Sequence, residues 1–278
     1  MRTKPWTLSD EFWEIVKDEI PQRKRDTNRE YKRKPGGGRK AADPRKVLEG
    51  ILYVLRTGCQ WNAVPREYGS SSSLHRYFQL WTEEGFFERI WVLGLQTYDE
   101  LEGIGWEWQS IDGSLVKAPL ALEAVGKNPT DRGKKGTKRS VLVDQNGLPL
   151  ALAIDGANRH DVKLLEETLD NLVLEPKQAE EKPRPHLCAD AGYTGKKARQ
   201  QVIDRGYVPH IRSRGEEQQE KQEGKQARRW VVEVLFSWLN RFRKLHVRYE
   251  KKSRNYLGLL HFACALIVWR KMIAVHSR

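Results

Sequence analysis

The spacing of hydrophobic residues changes near residue 100. Before that point apolar side chains recur every three or four positions, which is typical of amphipathic helices. Ser9 has the position of a helix cap, and a second helix is predicted to have Asp43 as its cap and Pro44 in its first position and to stop at Gly58. The inward faces of these two helices are predicted to carry Phe12, Trp13, Val16, Ile20, Val47, Ile51, Leu52 and Leu55.

A serine cluster at 70–73 opens a further helical stretch that carries His75 and Arg76. Two short helices joined by turns, the second with small polar and basic residues near its start, are typical of a helix-turn-helix that enters a DNA groove. A capped surface helix of an ordinary bundle explains the same residues equally well. We expect residues 1–100 to form a helical DNA-binding domain.

From about residue 106 to 212 the pattern is that of strands. A first strand is followed by a hairpin whose turn is Asn146-Gly147, then by a helix, a strand that ends in Asp190, a helix, a short strand and a last helical region. This order predicts a mixed sheet flanked by helices. We expect it to form a second domain, residues 101–278.

Fifty Lys and Arg residues against 37 Asp and Glu give the chain a net charge of +13. The excess is concentrated at residues 21–40, which resemble a glycine-rich linker, and at 127–139 and 225–254. Such patches track phosphates, so nucleic acid is the expected partner; for any single patch, a solvated loop is the alternative. The residues expected to contact it are His75, Arg76, Lys127, Arg132, Lys134, Lys135, Lys138, Arg139, Arg229, Arg241, Arg243 and Lys244.

Three isolated cysteines provide neither a disulfide framework nor a paired metal motif, which fits a reducing compartment. The first 19 residues have charges threaded through their apolar positions, unlike a signal peptide or a spanning helix. Residues 256–269 are apolar but too short to cross a bilayer, and they predict a buried helix. We expect a cytoplasmic protein, associated with the bacterial nucleoid, that does not contact membranes.

Two aspartates stand where a charge is costly. Asp112 follows an apolar strand and precedes a glycine, and a charge there costs several kcal/mol unless a metal ion or another group compensates it. Asp-Gly is also a common hairpin dipeptide, so a turn is the alternative. Asp190 ends the fourth strand in the same way; if the two strands are neighbours, the carboxylates meet at one sheet edge and suit magnesium or manganese.

A third acid, Glu233, lies within an apolar helical stretch, where an ion pair with Arg229 is the alternative to a metal site. Carboxylates that hold two metal ions provide the arrangement used for in-line phosphoryl transfer. We therefore expect two Mg²⁺ or Mn²⁺ ions. His160 and Asp161 open the helix after the hairpin, and Asp161 is interpreted as a first-turn acid favoured by the helix dipole.

Three other features are explained without catalysis. Asp144 and Asp155 are interpreted as turn residues. His186 and Cys188 alternate on a strand, but the sequence has no second pair at a spacing suited to zinc.

Several segments together resemble the DDE transposases of the bacterial insertion sequence family five. These segments are LRTGCQWNAVPREYG, IDGSLVKAP, KNPTDRGKKGTKRSVLVD, ANRHD, ADAGY and RRWVVEVLFSWLNRFRKLHVRYEKK, and they lie between about residues 45 and 270. The resemblance implies a ribonuclease H-like α/β core, preceded by an all-α, helix-turn-helix-like domain. It also implies that Asp112, Asp190 and Glu233 are the catalytic, metal-binding triad.

The implied chemistry is hydrolysis of the phosphodiester at the ends of a DNA element, followed by attack of the freed 3'-hydroxyl on target DNA. The partners are the terminal inverted repeats and target DNA, bound by a homodimer or a higher oligomer. Related families have a signature of tyrosine, arginine, glutamate and lysine around the third acid. Arg229 matches its arginine, whereas Gln226 and Asn240 replace its tyrosine and lysine.

Two other functions are compatible with these residues. A nuclease with the same core would cut DNA without joining strands. A DNA-binding regulator would use only the helical domain, but the presence of all three acids counts against it.

Overall fold

The computed structural model describes residues 4–22, 30, 40–176, 184–211 and 230–276. Within these ranges the helices are α1 (Asp10–Val16), α2 (Pro44–Thr57), α3 (Ser71–Glu83), α4 (Phe86–Leu101), α5 (Asp161–Asp170), α6 (Lys196–Asp204), α7 (Trp230–Leu239) and α8 (Ser253–His276). The strands are β1 (Trp108–Lys117), β2 (Gly126–Lys127), β3 (Lys135–Asp144), β4 (Pro149–Gly156), β5 (His186–Ala189) and β6 (Val208–Ile211).

The helix ends expected from the sequence are confirmed. The Ser9 side chain accepts a hydrogen bond from the Phe12 amide, and the Asp43 side chain accepts one from the Arg45 amide. These caps satisfy donors that have no partner within the helix. At the other end of α2, Gly58 has φ of 72°, a left-handed conformation that glycine adopts at little cost.

The sheet is mixed, as predicted. β3 pairs antiparallel with β1 on one side and with β4 and the short β2 on the other, while β5 pairs parallel with β1 and β6 parallel with β5. The hairpin of β3 and β4 turns at Asn146-Gly147 as expected, and Gly147 has φ of 76°. The strand β2 was not predicted.

Helices cover both faces of the sheet. Alternate residues of β3 point in opposite directions, so Ser140 bonds to Thr168 of α5 on one face while Arg139 bonds to Asn240, just after α7, on the other. α6 packs beside α5 and against β6. The sheet therefore separates an α5–α6 face from an α7 face.

The predicted buried helix at 256–269 is the central part of α8. By length and composition α8 could span a membrane, but 61% of its apolar window is buried inside the protein. It packs along α4, where Phe262 stacks near Phe87 with ring centroids 5.3 Å apart. The apolar character of α8 is thus used in the core, which joins the amino-terminal helices to the sheet.

β1 continues through Asp112 and Gly113 to Lys117, so the hairpin alternative for this Asp-Gly pair is wrong, and Asp112 lies within the strand instead of at its end.

The segment between α2 and α3 contains two 3₁₀ turns and is longer than the turn of about 3–4 residues in a DNA-binding helix-turn-helix. Groove binding by α3 stays a prediction, and most of the basic linker at 21–40 lies outside the described residues.

Candidate active site

Asp112 and Asp190 lie side by side because β1 and β5 are parallel neighbours. Trp108 of β1 is paired with His186 of β5, and Ser110 is paired with Cys188. The same register, continued by two residues, brings Asp112 level with Asp190, and neighbouring strands lie about 4.8 Å apart. The condition that the two strands are neighbours is therefore met.

Local backbone contacts orient both aspartates. Asp190 caps the 3₁₀ turn that follows β5, and its Oδ1 accepts a hydrogen bond of 2.8 Å from the Gly192 amide. Asp112 Oδ1 accepts one of 2.7 Å from the amide of Gly113. Each carboxylate is half-buried and so remains reachable from solvent at this edge.

Glu233 lies in the first turn of α7 and is exposed. α7 packs on β1 and β3, on the face toward which Ser114 points. Because strand residues alternate, Asp112 points toward the same face as Ser114. Glu233 therefore lies on the helix that packs on the face toward which Asp112 points, while Arg229 and Gln226 lie outside the described residues.

Asp161, interpreted above only as a first-turn acid, is also at this edge. Its Oδ1 lies 2.9 Å from the ammonium of Lys138, and a Cβ added to Gly113 would collide with that same oxygen. Its Oδ2 is 3.6 Å from where a Cβ of Gly192 would be. The sequence signal that could have indicated this role is Gly113 itself, since a glycine inside a strand often marks a close approach.

The pKa of the buried Tyr193 is affected by the charges of these aspartates. Burial raises the pKa of its phenol well above the usual 10, and the charges of Asp161, Asp112 and Asp190 raise it further. Its hydroxyl approaches Ser140 without forming a hydrogen bond of good geometry to any described residue. A buried polar atom of this kind is costly unless water or an ion completes its contacts.

The donors at this edge fit a divalent cation. Carboxylate oxygens are the ligands preferred by magnesium and manganese. No three His, Cys, Asp or Glu side chains in the described ranges are yet gathered closely enough to hold an ion. The donor chemistry fits, whereas ligand distances would require the side chains to move, and the assignment of the triad stays a prediction.

The hairpin that joins β2 to β3 carries the exposed basic residues. Asn128 shapes its tip by accepting hydrogen bonds from the amide and hydroxyl of Thr130, and Arg132 and Gly133 both have positive φ. This tight turn leaves four predicted DNA contacts exposed, namely Lys127, Arg132, Lys134 and Lys135.

Three other residues predicted to contact DNA are buried inside the protein. Lys138 is buried and paired with Asp161, and Lys244 is buried and paired with Glu250 at 3.3 Å. Arg139 is 2% exposed and donates to Ser114. None of the three presents a free cation to a phosphate, because the face of the strand or turn that carries each of them is covered.

The remaining basic candidates differ in their exposure. His75 is half-buried and stacks near Trp61 with ring centroids 4.9 Å apart, and burial lowers its pKa from 6.5. Three others are exposed, namely Arg76, Arg241 and Arg243.

Of the two acids interpreted as turn residues, Asp144 is confirmed, since its Oδ1 accepts hydrogen bonds from the amides of Asn146 and Leu148. Asp155 lies within β4, where it is paired with Lys138 of β3, and its side chain pairs with Arg159. Its interpretation as a turn residue is wrong, because the strand continues through Gly156.

The fold has a distant likeness to solved structures of a mariner transposase. The catalytic domain of Mos1 mariner transposase gives a TM-score of 0.29 at 11% identity, over 66% of this chain and 91% of that one. A pre-cleavage Mos1 transpososome gives 0.30 at 11% identity, over 91% and 83%. At these TM-scores the likeness supports no inference about this chain.

Two curated relatives come from Burkholderia cepacia. The chain is 36% identical over 149 residues to "Putative transposase for insertion sequence element IS402", covering 53% of this chain and 69% of the relative. It is 28% identical over 124 residues to "Insertion element IS402 uncharacterized 16.2 kDa protein", covering 44% and 80%.

Two family models match adjacent parts of the chain. Residues 8–91 match the family described as "Putative transposase of IS4/5 family". Residues 109–268, more than half of the chain, match the family described as "Transposase DDE domain". These matches contain the parallel strands that bring Asp112 beside Asp190, and the chain belongs to the DDE transposase family of insertion sequences.

Proposed function

We propose that this protein binds the terminal inverted repeats of its element, cleaves the DNA at their ends by metal-dependent hydrolysis and joins the freed 3'-hydroxyls to target DNA. The observation that carries the proposal is the register of β1 and β5, which sets Asp112 and Asp190 level with one another. Glu233, on the helix over the same face, is the proposed third acid. The reaction requires carboxylates at one point, and the neighbouring positions of Asp112 and Asp190 support such a site.

The chain's own residues would hold and orient the reacting groups. Asp112, Asp190 and Glu233 would bind two Mg²⁺ or Mn²⁺ ions, which supply Lewis-acid stabilisation of charge and a more acidic attacking water or hydroxyl. The amide of Gly113 fixes one oxygen of Asp112, and the amide of Gly192 fixes one oxygen of Asp190. This preorganisation lowers the cost of assembling the site.

The DNA contacts are proposed from charge and exposure. The hairpin residues Lys127, Arg132, Lys134 and Lys135 lie beyond the start of β3 and would contact the backbone of the element end. We propose residues 1–100 as the part that recognises the inverted repeat and residues 101–278 as the catalytic part. A homodimer or higher oligomer would bring two ends together, and the protein would act in the cytoplasm on nucleoid DNA.

The test uses the full chain and a labelled duplex with the cognate element end. With Mg²⁺ or Mn²⁺, the wild type should cleave it and join it to a second duplex, while Asp112→Asn should lower cleavage by about 10³-fold or more. Binding, measured by gel mobility shift, should stay within about twofold, because only one carboxylate becomes an amide.

The matched control is Asp170→Asn, which changes an exposed aspartate at the end of α5. It should cleave as the wild type does. Undiminished cleavage by Asp112→Asn would contradict the site, and cleavage without any strand joining would identify a nuclease instead.

A further inference from the structure

The tip of the hairpin that joins β2 to β3, residues 128–134, is held in one conformation by local contacts. The amide of Asn128 donates a hydrogen bond of 2.7 Å to the carbonyl of Lys134, and the amide of Gly133 donates one of 3.0 Å to the carbonyl of Asn128. Asn128 is 3% exposed, and its side chain accepts hydrogen bonds from the amide and the hydroxyl of Thr130. Because Asn128 is bonded in all these ways, the tip is a rigid projection of the sheet.

Arg132 occupies a strained position in this tip. The amide of Lys134 donates a hydrogen bond of 3.0 Å to the carbonyl of Asp131, and the two residues between them, Arg132 and Gly133, have φ of 51° and 72°. This pattern matches a type I′ turn, whose central positions favour Asn, Asp and Gly. Arg132 has the first of these positions, although a residue with a long side chain adopts left-handed backbone angles only at a cost in free energy. Strain of this kind at an exposed residue points to a use of its side chain that offsets the cost.

An ion pair ties the tip to the strand that carries Asp112. The Asp131 carboxylate lies 3.6 Å from the ammonium of Lys117, the last residue of β1. At about 3.4 Å per strand residue, Lys117 is roughly 17 Å from Asp112. DNA whose cleaved bond lies at Asp112 would therefore have the tip roughly five base pairs away, since the duplex rises about 3.4 Å for each base pair.

We propose that Arg132 enters the major groove of the element end and donates hydrogen bonds to O6 and N7 of a guanine, which refines the backbone contact proposed above. The major groove admits a two-stranded β-ribbon, and the planar guanidinium of arginine matches these two acceptors. The exposed Lys127, Lys134 and Lys135 on either side would contact phosphates and set the register. A rigid tip favours such readout, because little conformational freedom is lost on binding. The inference rests on the proposed function, since it takes the element end as the bound DNA.

The test compares the binding of the full chain to two duplexes with the cognate element end, measured by gel mobility shift. In the second duplex every guanine near the end is replaced by 7-deazaguanine, which lacks the N7 acceptor. The wild type should bind the second duplex roughly fivefold or more weakly, because a bidentate contact to guanine is broken. Arg132→Asn should bind the two duplexes equally. The matched control, Lys134→Gln, should weaken binding to both by the same factor, because a phosphate contact does not depend on the base.

Thermal unfolding followed by circular dichroism separates a lost DNA contact from damage to the hairpin. Arg132→Asn and Arg132→Gly should both unfold at the wild-type temperature or above it, because Asn and Gly adopt left-handed backbone angles at a lower cost. A lower unfolding temperature in both variants would overturn the inference, since Arg132 would then stabilise the turn. Equal binding of the two duplexes by the wild type, or an undiminished difference in Arg132→Asn, would also overturn it and leave the proposed function standing. No binding of the element end by the wild type would contradict the proposed function itself.

Discussion

The edge of the sheet at Asp112 and the contact between α4 and α8 contain different kinds of side chain, charged and partly exposed at the edge but apolar and buried at the contact. The α4–α8 contact is made of large apolar groups such as Phe87, Trp91 and Phe262, each at most 1% exposed. The sheet edge instead collects Asp112, Asp190 and other charges with partial exposure.

This difference separates stability from chemistry. Burial of apolar area is the main favourable term in folding, at roughly 25 cal/mol per Å². Carboxylates crowded at an edge repel one another and contribute little or negatively until a cation binds. We therefore expect substitutions between α4 and α8 to unfold the protein without changing its intrinsic chemistry, and substitutions near the edge to do the reverse.

The largest effect on stability is expected from Phe262→Ala. Phe262 is completely buried and lies against Phe87, so truncation leaves a cavity and should lower the free energy of unfolding by about 3–5 kcal/mol. Urea denaturation followed by circular dichroism measures this loss. Phe262→Leu, which keeps most of the volume, should lose much less; equal losses in the two variants would argue against tight packing here.

A smaller, pH-dependent effect is expected at His261, whose ring lies 5.5 Å from that of Trp91 in the same contact. Burial lowers its pKa from 6.5 to about 4. Between these values the unfolded chain takes up a proton that the folded chain does not. Stability should therefore fall as the pH drops from 6.5 toward 4, by roughly 2–3 kcal/mol in total.

The measurement compares wild type and His261→Leu in urea at pH 7 and at pH 4.5. The difference between the two proteins isolates this histidine from the carboxylates that titrate in the same range. His261→Leu should be the less acid-sensitive protein. An identical loss of stability in both would show that His261 does not contribute.

The smallest effect on stability is expected from the double change Lys134→Gln and Lys135→Gln in the exposed hairpin. The free energy of unfolding should change by no more than about 0.5 kcal/mol. DNA binding should weaken roughly 10- to 30-fold near physiological salt, and the slope of log affinity against log salt should fall by about 1.8. A salt titration of binding to the element end measures both; an unchanged slope would remove these residues from the interface.

Much of the local structure could be predicted from the sequence because its signals are local. Ser9, Asp43, Pro44 and Gly58 act through the backbone within one helical turn, and Asn146-Gly147 sets its own hairpin. The order of strands and helices also followed from periodicity. The sequence predicted that Asp112 and Asp190 meet only if their strands are neighbours. Which strands are neighbours depends on contacts between residues distant in sequence.

The basic residues of β3 show why DNA contacts could not be predicted from charge alone. Lys135, Lys138 and Arg139 stand within five positions, yet Lys135 is exposed and the other two are buried. Alternation along β3 tells which residues share a face, but the sequence does not say that α5 covers one face and α7 the other. Charge alone therefore assigned too many residues to DNA.

The sequence by itself determined the elements, their caps and turns, the family motifs and the acids proposed as the triad. Only the tertiary structure decided that α8 packs on α4, that Lys244 pairs with Glu250, and that Lys138 and Asp161 meet behind Gly113. The physical reason is the distance along the sequence over which each interaction acts. Hydrogen bonds and periodicity act within a few residues, whereas burial of a charge depends on which distant element covers it.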